Sequence, residues 1–166
     1  MSSQIESSIV IERVYQADVE ELWDLWTTKE GFESWWGPRD FRADVHTLEA
    51  RPGGALHYDM VADTPAMIAA MKNMGQPASH ACRGSFTEFR PHERLVLTQL
   101  IDFLPGVEPY DSTMVVDFLP VADGRVRMVV TLSQMHDAQF TEMQKQGFTS
   151  QLSKLDKRYG WLARSQ

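Results

Sequence analysis

Only one cysteine, Cys82, occurs in the 166 residues, so no internal disulfide can form. No apolar run approaches the ~20 residues that a membrane-spanning helix needs, and residues 1–6 have neither the basic start nor the apolar stretch of a secretory leader. The expected compartment is therefore the cytoplasm. Positive charge is scarce as well: 16 Lys and Arg stand against 23 Asp and Glu, a formal net charge of −7, and no basic cluster offers a local exception. Such a surface repels phosphate backbones and anionic lipid, which excludes nucleic acid and membranes as expected partners. Repeats, low-complexity tracts and Ser/Gly-rich linkers are all missing, so 1–166 reads as a single domain, long enough to bury roughly 70% of its unfolded surface.

Large apolar side chains are plentiful, with nine Met, eight Phe and five Trp. Their spacing predicts the elements. Ile9, Ile11, Val14 and Tyr15 mark a first strand, and Asp18 with Glu21 has capping-box spacing ahead of a helix carrying Leu22, Leu25 and Trp26. Thr28 can cap a second short helix over 29–35 that stops at Gly37-Pro38. From Phe41 the period becomes two, and Arg51-Pro52-Gly53-Gly54 supplies the turn of a hairpin whose second strand carries Leu56, Tyr58 and Met60. Further strands are expected at 82–89, 95–103, 114–119 and 126–132, with separators at Pro91-His92-Glu93, Pro105-Gly106 and Asp123-Gly124. A long amphipathic helix over 137–163, with apolar residues from Phe140 to Leu162, closes the chain. The result is an α+β architecture: a curved antiparallel sheet of six to seven strands around the long helix, with two short helices after the first strand. A bent sheet and one helix leave a hollow between them.

Residues 64–75 interrupt the sheet with a short helix, capped by Thr64, begun by Pro65 and ended by Gly75. Its Met67, Ile68, Met71 and Met74 share a face that either extends the core or forms a lid over the hollow.

Several short motifs together resemble one family. Leu22-Trp23 and Trp26-Thr27, Trp35-Trp36-Gly37-Pro38, Arg51-Pro52-Gly53-Gly54, Glu93-Arg94-Leu95-Val96, and Gly147-Phe148 with Leu152 and Leu155 are similar to the C-terminal domain of the activator of heat-shock-protein-ninety ATPase. That domain lies within the START, polyketide cyclase and birch-pollen-allergen superfamily, abbreviated SRPBCC. The resemblance implies the helix-grip fold and a ligand cavity between sheet and helix. Two features depart from the family: Asp18 and Thr28 stand where Pro and Asp are common, and the Met-rich stretch at 64–75 replaces a short polar loop.

The inward stripes supply the ligand-binding candidates. Apolar candidates are Trp36, Phe41, Met60, Phe86, Met114 and Met128, with Met71 from the lid and Met143 and Phe148 from the long helix. Polar candidates are Tyr58, Glu88 and Gln99. By alternation from Phe86, Glu88 leans inward, and a buried carboxylate or carboxamide requires a partner. Trp35 and Trp36 either anchor the short helices or, in the case of Trp36, touch the ligand. No metal or other cofactor is expected, because His57 with Asp59 and His80 with Cys82 fall short of three convergent ligands. Cys82 sits among Ala81, Gly84 and Phe86, an apolar setting that disfavours a thiolate, so no catalytic residue is assigned.

The primary expectation is a carrier or sensor of a small hydrophobic molecule. The alternatives are an enzyme of cyclase or hydrolase type and a chaperone-associated interaction domain. An exposed strand edge or the Met face leaves a homodimer open. Burying roughly 300 Å² of apolar ligand gains about 7 kcal/mol gross, against at least about 4 lost on association, so useful affinity requires polar contacts.

Overall fold

The computed structural model describes residues 8–102 and 106–161. Seven strands form one antiparallel sheet: β1 (Ile9–Tyr15), β2 (Phe41–Leu48), β3 (Ala55–Ala62), β4 (Ser79–Arg90), β5 (Arg94–Ile101), β6 (Tyr110–Val121) and β7 (Arg125–Leu132). Their spatial order is β1-β7-β6-β5-β4-β3-β2, so every neighbour from β2 to β7 is consecutive in the chain and only β1 joins from afar. Helices α1 (Val19–Thr27) and α2 (Lys29–Glu33) follow β1, α3 (Pro65–Asn73) interrupts the run of strands, and α4 (Ala138–Arg158) ends it. This is the helix-grip arrangement implied by the resemblance. The Phe103 end of the expected fifth strand, Pro105 of its turn, the leader test at 1–6 and the Leu162 and Ala163 end of the last helix lie outside the described residues.

Local chemistry explains most boundaries. Thr28 accepts a hydrogen bond from Gly31 N–H at 3.0 Å, and Thr64 and Asp137 cap α3 and α4 in the same way. Asp18 is the residue before α1, but its side chain makes no capping bond, so the capping-box expectation fails there. In the Arg51-Pro52-Gly53-Gly54 turn the two glycines differ in purpose. Gly53 has φ +75°, and a Cβ on Gly54 would stand 1.9 Å from the Glu49 carbonyl oxygen.

The inward stripes of the strands are buried as alternation requires: Leu95 and Leu97 on β5, Met114, Val116 and Phe118 on β6, and Val126, Met128, Val130 and Leu132 on β7. One irregularity matters. The β4–β5 register shifts between Phe86 and Glu88, inserting an extra residue that breaks the alternation. Past this bulge Phe89 packs on Trp23 and Phe86, with ring centroids 5.1 and 5.5 Å apart.

The middle of the grip is solid. Trp26, Trp35, Trp36, Phe32 and Phe148 pack together, with Trp36 stacked on Phe32 at 4.4 Å and Trp26 edge-on to Trp35 at 5.0 Å. Each Trp removes roughly 200 Å² from water, about 5 kcal/mol gross at ~25 cal/mol/Å². The second half of α4 completes this core through Phe148, Leu152 and Leu155. It is fastened by polar contacts too: Asp156 accepts from Tyr15 Oη at 2.6 Å and Arg13 Nε at 3.0 Å, and Tyr159 Oη donates to Glu21 at 2.7 Å.

Candidate functional site

Because the core fills the centre of the grip, the hollow lies to one side, between the first half of α4 and the β2–β5 half of the sheet. It is a partly open cavity of about 430 Å³, within the range usual for small-molecule sites. Phe41, Tyr58 and Met60 form one wall, His80, Cys82, Gln99, Leu100 and Ile101 another, and Phe140, Met143 and Gln144 of α4 a third. Pro38 and Met135 complete the lining. The Trp-Trp-Gly-Pro passage positions this floor: both Trp rings turn into the core, Gly37 takes φ +110°, and Pro38 reaches the cavity. Helix α4 grips the passage from the other side, since Gln151 Oε1 accepts from Gly37 N–H at 3.0 Å and Lys154 Nζ donates to Gly37 O at 2.9 Å.

The polar node of the cavity is the Tyr58 hydroxyl. It accepts from Trp36 Nε1 at 3.0 Å and from Gln99 Nε2 at 2.8 Å. Burial raises the Tyr58 pKa far above the usual phenol range, so the group stays neutral. Cys82, its cross-strand partner, is pushed up to about 11, chiefly by burial. Burial also lowers His80 from its ordinary value, keeping the ring uncharged at neutral pH. Gln144 adds a further feature: among the described residues its buried Oε1 has no hydrogen-bond partner, an arrangement that costs free energy until something satisfies it.

The structure brings Phe41, Tyr58, Met60, Gln99 and Met143 to the cavity. It puts the other candidates elsewhere. Phe86, Met114, Met128 and Phe148 are buried core residues. Trp36 anchors α2 and reaches the cavity only through its bond to Tyr58. Glu88 does not lean inward: the bulge at 86–88 turns it to the surface, where it pairs with Arg90 at 2.7 Å. Met71 belongs to α3, which has no buried residue and supplies none of the described lining residues. Of the residues not chosen from sequence, Cys82 and Ile101 lie on inward stripes and Phe140 and Gln144 share one face of α4 with i, i+4 spacing. Met135 lies in the loop before α4, where no periodicity could mark it.

Among the described residues no group of three or more His, Cys, Asp or Glu could hold a metal ion, and no helix is long and apolar enough to cross a membrane.

The sequence profile of the family described as "Activator of Hsp90 ATPase homolog 1-like protein" matches residues 16–160. Solved structures share the fold. A Chromobacterium violaceum protein is 22% identical with TM-score 0.72, covering 93% of this chain and 97% of its own. An Arthrobacter aurescens protein is 23% identical with TM-score 0.70, covering 96% and 90%. The AHSA1 protein of Silicibacter pomeroyi is 19% identical with TM-score 0.70, covering 91% and 96%. No curated protein matches the chain.

Proposed function

The chain belongs to the activator of Hsp90 ATPase homolog 1-like family within the SRPBCC superfamily, and from that premise we propose that it binds a small hydrophobic molecule in the cavity between sheet and α4. The observation that carries this reading is the 430 Å³ hollow itself, apolar on three walls and organised around one buried hydroxyl. Close-packed interiors seldom leave such a space without a use. The chemistry of the lining favours holding over transforming: the cavity thiol and phenol are both kept protonated by burial, which withdraws them as nucleophile or base near neutral pH. The protein thus acts as a carrier or sensor.

Native mass spectrometry of the purified protein and titration with the uncharged dye 1-aminoanthracene test this. Met60→Trp places bulk into the void, so it should weaken dye binding about tenfold or more while costing under ~1.5 kcal/mol of stability. Equal dye affinity in the wild type and Met60→Trp would contradict the proposal.

A further inference from the structure

Among the described residues the cavity lining contains no Lys, Arg, Asp or Glu. Two cations of the neighbouring elements are engaged elsewhere: Lys154 Nζ donates to the carbonyls of Gly37 and Phe41, and Arg83 pairs with Asp102 at 3.1 Å. The lining imidazole, His80, is held neutral by burial at neutral pH. A charged occupant would therefore meet no counter-charge within the lining; the carboxylates that act on Cys82, Asp59 and Asp102, pair with His46 and Arg83, and the protein's net charge of −7 further opposes an anion.

The polar groups of the lining are unequal. The Tyr58 hydroxyl already accepts two hydrogen bonds, and one of them commits the Gln99 amide. Gln144 is different: it lines the hollow, and among the described residues its Oε1, closed off from solvent, has no hydrogen-bond partner. A half-turn about the last torsion exchanges the two ends of a carboxamide, so Gln144 can offer either an N–H or a C=O to an occupant. Resting on the ligand-binding reading above, we propose that the cavity selects uncharged molecules carrying a hydroxyl or similar neutral polar group, and that Gln144 makes the principal polar contact to that group. Fatty acids, aryl carboxylates and alkylammonium ions are excluded by the same chemistry that admits alcohols and phenols.

Matched naphthalene probes test this at pH 7 by isothermal titration calorimetry: 2-naphthol, 2-methylnaphthalene, 2-naphthoate and 2-naphthylmethylammonium. The naphthol should bind about fivefold more tightly than methylnaphthalene, the effect of one net hydrogen bond. Both charged probes should bind at least ~30-fold more weakly than naphthol. In Gln144→Leu, and in Gln144→Met as a second variant, the naphthol preference should shrink below about twofold while methylnaphthalene affinity is retained, which also shows that the fold is intact. Equal wild-type affinity for naphthol and methylnaphthalene, a naphthol preference that survives both variants, or a charged probe within about threefold of naphthol overturns the selectivity and leaves the binding reading standing. Failure of all four probes to bind removes the binding reading and the selectivity with it.

Discussion

Tyr58 concentrates the polar chemistry of the cavity in one oxygen, and that oxygen also ties the floor passage to the sheet through Trp36. Removing it in Tyr58→Phe takes the acceptor from two N–H donors, the buried one of Trp36 and the half-buried one of Gln99. A loss of about 2–4 kcal/mol in chemical denaturation is expected, well above the cost of a surface change. Its neighbour Cys82 makes a pH-dependent prediction. Its folded-state pKa, about 11, lies above the ordinary thiol value of 9.0. The protonated form is therefore favoured by folding. Stability from this group is complete below pH 9 and is lost as pH rises through 11, because the unfolded chain releases its proton first. Denaturation midpoints of the wild type and Cys82→Ala should diverge across that window, with the wild type falling faster. Parallel curves would show that the thiol is not shielded.

Among elements, regular pattern was readable in the sequence and its interruptions were not. The period-two stripes of β6 and β7 appear as buried rows, and on β5 the row is buried at Leu95 and Leu97 before Gln99, Leu100 and Ile101 open together onto the hollow. On β4 the bulge inserts a residue after Phe86, and alternation extended through it assigns Glu88 to the wrong face. Nothing in Ser85-Phe86-Thr87-Glu88 marks the insertion, since the bulge is set by how β4 meets β5. Helix α3 teaches a related lesson. Thr64 and Pro65 declare its start through local capping chemistry, whereas its position depends on packing against distant residues, and Ile68 and Met74 end up 45% and 63% exposed. Two outcomes follow. Glu88→Ala and Met71→Asp should each leave ligand affinity within about twofold of wild type and stability within ~0.5 kcal/mol. A large loss of affinity in Met71→Asp would restore α3 as a lid.

At the scale of the whole molecule, the site arises from a division of labour along α4. Its second half packs Phe148, Leu152 and Leu155 into the aromatic core, and its first half stands over a space that the core does not fill. The grip was legible in the sequence, but where along the helix packing ends was not. Core and cavity residues alike are apolar and share the same periodicity, so Met128 and Met143 look equivalent until the fold separates them. Trp26, Trp35 and Trp36 decide the outcome physically, because rings of this size occupy the centre and leave the void at the Phe41, Cys82 and Phe140 end.

The distribution of methionine provides the most direct test. Methyl-¹³C-methionine NMR during titration with 2-naphthol should move the resonances of Met60, Met135 and Met143, which line the cavity, and leave those of Met114 and Met128 in the core nearly fixed. Stationary Met60, Met135 and Met143 signals, or larger shifts at Met67, Met71 and Met74 of the α3 region, would contradict the account.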